Sequence, residues 1–245
     1  MANWIPFITD LGEGPASVII DVDLANSGAD AGRGTLVVAS VPLRSPGEHG
    51  MGEQQEVDAI DAVIEEIHGV LASGCDAVFA ATMRSEGTYD AVFYLPASKA
   101  QAAEMLLGVG LSPLEGDFII RQDPTWSMYH ELFPAEGDMR RALGLRALML
   151  LAEGGDDLSI PRGIAHEINL PGRNAADAAK QKLAQMGYTI VSETSDASED
   201  LPFRLAFQRV EAPEASALLT SGELLDQLAQ ELDGEYAGWE CPPAG

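Results

Sequence analysis

The sequence predicts an α+β protein made of two tandem βαββαβ units, the first extended by an N-terminal β-hairpin. Two observations lead there: runs of branched residues alternate with helical-period stripes in a fixed order, and that order occurs twice. A third is the stretch 126–137, with Pro134 and Gly137, which separates the copies as a junction and divides the chain into domains 1–136 and 137–245.

The hairpin comes first, over residues 4–9 and 17–24, where Val18, Ile20, Val22 and Leu24 alternate with Ser17, Asp21 and Asp23. Asp21 and Asp23 are read as solvated strand positions, because the Gly and terminal Glu of a calcium loop are missing around them. Residues 35–41, rich in Val and Leu, make the next strand. After a loop with Pro46, Gly47, Gly50 and Gly52, the residues Val57, Ile60, Ile64, Ile67 and Leu71 recur at helical spacing, with acidic residues between them. This is an amphipathic helix with an acidic outer face, stopped at Gly74. Residues 77–83 and 89–95 form a hairpin around Ser85, Glu86 and Gly87. Pro96 and Ser98 open a helix to about Val109, and residues 118–120 close the unit as a strand.

A helix over 138–152, with Met139, Leu143, Ala147, Leu150 and Leu151 as its stripe, precedes the second unit. Residues 160–170 are its first strand, and Ala176, Ala179, Leu183 and Met186 line a helix ended by Gly187. Strands 188–191 and 203–210 flank a polar acidic loop. Pro213 opens a helix carrying Leu218, Leu225, Leu228 and Leu232, and 235–240 is the last strand. The split βαβ order is ferredoxin-like: two helices cover one face of an antiparallel sheet and leave the other face available.

Fourteen basic against 39 acidic residues leave a formal net charge of −25. Both halves share it, with 21 acidic and 5 basic residues up to Glu136, then 18 and 9. Nucleic-acid binding draws its free energy from Lys and Arg displacing counterions, so direct nucleic-acid binding is excluded and a basic partner is favoured. No basic segment followed by an apolar run opens the sequence, and no stretch nears the ~20 apolar residues of a span, so a cytoplasmic protein without membrane contact is expected. Cys75 and Cys241 lack metal-site spacing and read as packing residues; no metal or cofactor is expected.

Catalysis finds no constellation. His49 and His68 have no nucleophile at useful spacing, and His130-Glu131 and His166-Glu167 are neighbours that point to opposite faces if extended. His166 alternates with Ile164 and Ile168, which suits a half-buried histidine. Gly154-Gly155-Asp156-Asp157 follows a helix, where glycine supplies the left-handed stop and aspartate the turn. The aromatic groups Trp126, Tyr129 and Phe133, and Tyr236 and Trp239, read either as core or as interface anchors.

Gly155-Asp156-Asp157, the strand carrying His166, Met186-Gly187-Tyr188, and Glu235-Tyr236-Ala237-Gly238-Trp239 together resemble the regulator of ribonuclease E activity, type B, from about Asp138 to Pro242. Ala237 stands where that family usually has aspartate. The first half, through Pro15-Ala16-Ser17 and the run from Asp123 to Tyr129, resembles an uncharacterised bacterial family found ahead of that regulator domain. The resemblance implies a non-catalytic acidic protein that binds the arginine-rich part of the endoribonuclease and changes RNA turnover. The partner-binding residues expected are Tyr236, Trp239, His166, Glu235, Asp156 and Asp157. Two other readings of the same sequence are a small-ligand binder or enzyme using an inter-domain cleft, and a scaffold for self-association.

Overall fold

Both β-rich stretches fold as antiparallel sheets in a computed structural model that describes residues 2–10, 14–27 and 32–244. The chain divides into Met1–Asp138 and Met139–Gly245.

The N-terminal hairpin is β1 (Trp4–Asp10) and β2 (Pro15–Asp21). β2 stops earlier than its alternation suggests, because the Asp21 carboxylate accepts from the backbone N–H groups of Asn3 at 2.8 Å and Asp23 at 3.2 Å. That turns the chain into a short helix, α1 (Asp23–Ser27), so Asp21 is buried rather than solvated. The remaining strands are β3 (Thr35–Pro42), β4 (Val78–Ser85), β5 (Thr88–Leu95) and β6 (Asp117–Gln122). The sheet order is β1-β2-β4-β5-β3-β6, so the ferredoxin-like set β4-β5-β3-β6 is widened by the hairpin beyond β4.

Two crossover helices, α2 (Gln54–Cys75) and α3 (Ala100–Gly110), cover one face. Ile60, Ile64 and Leu71 of α2 and Leu107 of α3 pack on Val37, Ala39, Ala91 and Phe93. α2 runs past Gly74 and ends at Asp76, whose left-handed φ of 55° lets its N–H reach the Leu71 carbonyl.

The opposite face is not left open, contrary to the sequence expectation. Leu36, Val38, Val92 and Tyr94 are all buried there, and α4 (Ser127–Leu132) closes over Tyr94. Trp126 stacks on Tyr94 with centroids 4.1 Å apart and 7° between planes, and its Nε1 donates to the Arg33 carbonyl at 2.9 Å. Asp123 organises this turn. Its carboxylate accepts from Ser127 N–H and Oγ, both at 2.8 Å, from Met128 N–H at 3.1 Å and from Tyr94 Oη at 2.8 Å. Burial pushes the Asp123 carboxyl up, but the bonds from Ser127, Tyr94 and Met128 outweigh it and hold the group below the usual range. Trp126, Tyr129 and Leu132 are therefore core of the first unit, and the chain leaves it through α5 (Glu136–Glu153).

The second unit comprises β7 (Arg162–Leu170), α6 (Arg173–Gln185), β8 (Thr189–Ser195), β9 (Phe203–Glu211), α7 (Ala215–Glu231) and β10 (Glu235–Glu240). Its sheet order, β10-β7-β9-β8, repeats the ferredoxin-like set. Ile168, Leu170, Leu205 and Phe207 face α6 and α7, packing on Ala179, Leu183, Leu225 and Leu228. The positions between them, Ala165, Glu167 and Asn169 on β7 and Arg204, Ala206 and Gln208 on β9, make up the other face of this sheet.

Candidate functional site

Residues on β10 are aimed by a bulge. Tyr236 pairs with Ile168, but Gly238 then pairs with Glu167 and Trp239 with His166, leaving Ala237 as the extra residue. In a regular strand Tyr236 and Trp239, three apart, would face opposite ways; the bulge turns both toward the helices. Gly238 carries the necessary φ of 116°, a conformation that a side chain resists. The glycine of the Glu-Tyr-x-Gly-Trp run thus has a structural task.

Beneath this strand lies a buried aromatic group. His166 is 2% exposed and Tyr236 4%, with His166 Nδ1 2.7 Å from Tyr236 Oη. Phe207 stacks on the imidazole at 5.6 Å and 10°, and Tyr188 stands across it at 79°. Burial, reinforced by the Arg209 charge, lowers the His166 pKa to about 4, so the ring is neutral. Burial also raises the Tyr236 phenol, which keeps its proton and can donate it to Nδ1. His166 Nε2 is then left buried without a hydrogen-bond partner. Arg209 lies 4.6 Å over the Tyr188 ring and donates to Glu211 at 2.7 Å and Ser221 Oγ at 3.0 Å.

The residues expected from the sequence to contact a partner therefore separate. His166 and Tyr236 are core, because their strand positions face the helices. Trp239 is half-buried and packs with Leu148, Ile164 and Leu218, against Gly144 of α5. Asp156 is held by Arg162 through bonds of 2.9 and 2.6 Å and accepts from the Ala244 N–H, so its carboxyl lies below the usual range. Asp157 caps its own turn, accepting from Ser159 N–H at 3.0 Å and Oγ at 2.6 Å. The side chains of these five are engaged within the unit. Glu235 is exposed, with its carboxylate 3.8 Å from Arg140, and Asp157 is exposed as well.

What that face does offer is a shallow groove of about 280 Å3, lined by Ala165, Glu167, Ala206, Ala237, Gly238 and Glu240 among others. Small residues form its floor. Glu167 and Glu240 stand on it, with Glu235 further along β10, and Arg204 reaches Glu167 at 3.3 Å. His166 and Trp239, two of the residues expected from the sequence, also border this groove, and the alternation of Ala165 and Glu167 with Ile164, His166 and Ile168 on β7 carries its signal. Among the described residues, no three His, Cys, Asp or Glu side chains gather as a metal site requires, and no helix is long and apolar enough to cross a membrane.

These features define a two-unit α+β protein whose second unit presents an open sheet face with carboxylates over a packed aromatic core. Residues 2–133 match the Family of unknown function DUF695, to which the chain belongs, and residues 146–241 match Regulator of ribonuclease activity B, so the chain carries an RraB domain at its C-terminal side. No curated protein matches the sequence. Similar solved structures include an unknown protein from Galdieria sulphuraria, 11% identical, covering 84% of this chain and 96% of that one with a TM-score of 0.24. Another is described as a candidate glycine cleavage system transcriptional repressor, 12% identical, covering 85% and 98% with a TM-score of 0.27.

Proposed function

We propose that this chain is a non-catalytic regulator of a ribonuclease, and that it holds a basic segment of a ribonuclease E-like enzyme against the open face of its C-terminal sheet. The observation that carries this reading is the RraB match over residues 146–241, a unit whose uncovered sheet face bears Glu167, Glu235 and Glu240 around a floor of Ala and Gly. A small-residue floor admits an extended backbone closely, while the carboxylates accept bonds from guanidinium or ammonium groups along it. The net charge of −25 draws a cationic segment in and repels RNA. His166, Tyr236 and Trp239 support β10 from below and fix the bulge that presents Ala237 and Gly238. They act as positioning residues.

The test is fluorescence anisotropy of an arginine-rich peptide from a ribonuclease E non-catalytic region, titrated with the full chain at about 0.05, 0.15 and 0.5 M salt. Affinity should fall stepwise with salt, and Glu235→Lys/Glu240→Lys should weaken it by about tenfold or more, equivalent to about 1.4 kcal/mol. Added chain should also slow cleavage of RNA by the enzyme. Capture that ignores both salt and the charge reversal sinks the reading.

A further inference from the structure

The helical layer of the first unit carries a second surface, unrelated to the C-terminal groove. α2 buries one stripe on its sheet, yet a neighbouring stripe, Val63, Ile67 and Val70, faces a groove of about 270 Å3 whose other wall is Leu106, Val109 and Gly110 of α3. Ile67 is buried, but the outer apolar residues are far from covered. Val70 is 47% exposed, Val109 77%, and Met105, one helical turn before Val109, 66%. Gly110 makes the groove possible: a Cβ there would stand 2.9 Å from Ile67 Cγ1 and push the walls apart. Clustered apolar exposure of this kind on a soluble surface marks a contact site.

Charge selects what covers it. α2 carries Glu56, Asp58, Asp61, Glu65 and Glu66, α3 carries Glu104, and neither helix has a Lys or Arg. Glu56 accepts from the Arg44 and Ser45 N–H groups and Asp61 from Tyr89 Oη, whereas Glu66 lines the groove and is exposed, as is Glu104 on α3. Lys99, just before α3, bonds the Gly74 carbonyl at 3.4 Å. A second copy of this chain would bring another 25 negative charges, and an anionic lipid surface would be repelled in the same way.

We propose that the α2–α3 groove is a docking site for a basic amphipathic helix of a partner protein, one that inserts two or three apolar side chains spaced i, i+3/i+4 between Val70 and Val109 and places Lys or Arg against Glu66. The walls supply the apolar floor of a helix-in-groove contact, and the acidic rim sets its orientation.

The probe is a synthetic peptide of about 18 residues, Leu on one helical face and Lys and Arg on the flanks, with a scrambled peptide of identical composition as its control. Binding to the full chain is read by anisotropy, and the oligomeric state of the chain by light scattering. The patterned peptide should bind at least tenfold tighter than the scrambled one. Val70→Gln/Val109→Gln, which leaves the charge unchanged, should remove that preference while circular dichroism stays unaltered. Equal binding of the two peptides, or a preference the variant keeps, overturns the proposal. So does a dimer of the chain that the variant dissociates, since the groove would then belong to a second copy.

Discussion

Lowering the pH puts the buried His166–Tyr236 pair to the test. In the folded chain burial and then the Arg209 charge push the His166 pKa from 6.5 down to about 4, while the unfolded chain restores the ordinary value. Between those two values the unfolded state binds a proton that the native state refuses. The stabilisation is therefore complete above the unfolded value and is lost as the pH falls toward the folded one. Its full size is about 3 kcal/mol, of which about 2 kcal/mol disappears between pH 7 and about pH 4.5. Burial raises the Asp90 carboxyl in the first unit, a contribution of opposite sign, so the readout must be local to the second unit. Urea titrations followed through the Ile164 and Ile168 methyl signals, at several pH values across that window, meet the requirement. The companion variant is His166→Leu/Tyr236→Phe, which removes both partners and so leaves neither polar atom stranded. The wild type should lose about 2 kcal/mol on acidification and the variant should lose far less. An equal loss in both would show that other groups carry the pH dependence and that His166 is not held neutral by its surroundings.

Two further outcomes check the packing. A Cβ at Gly234 would overlap the Asn169 carbonyl oxygen and lie 2.7 Å from Leu170 Cδ2, so Gly234→Ala should destabilise the second unit by about 2–3 kcal/mol in urea unfolding. Asp123→Ala strands the buried Tyr94 hydroxyl and the Ser127 and Met128 N–H groups, and should cost the first unit about 3 kcal/mol, visible as a lowered thermal midpoint and altered Trp126 fluorescence.

The element order and strand order were legible because period-two and helical-period stripes dominate both units. Strand β7 shows it well: Ile164, His166, Ile168 and Leu170 alternate with Ala165, Glu167 and Asn169, and the inward set is buried as the alternation demands. The failures have local causes. β2 ends at Asp21 because a carboxylate captures two backbone N–H groups, a competition that hydrophobic alternation does not register. The stretch 126–137 looked like a junction because of Pro134 and Gly137; what makes Trp126 and Tyr129 core is one buried aspartate, 29 residues from the tyrosine it bonds. Spacing alone would place Tyr236 and Trp239 of β10 on opposite faces. The bulge at Ala237 overrode that parity.

The same parity argument shows why the two units, alike in strand order, differ in what they offer. In the first, both faces of β3 and β5 bear large side chains, Val37 and Phe93 on one and Leu36 and Tyr94 on the other, so each face requires a cover. α2 and α3 supply one, and the turn from Asp123 to Tyr129 closes on the other. In the second, the outward positions of β7 and β9 are alanine, glutamate, asparagine, arginine and glutamine, which gain little from being covered. That face can stay solvated without loss of stability and can exchange water for a polar, basic chain at low desolvation cost. The two proposed contacts then differ in partner chemistry: an extended, charge-bearing segment on the sheet face, and in the α2–α3 groove a helix that brings its own apolar stripe.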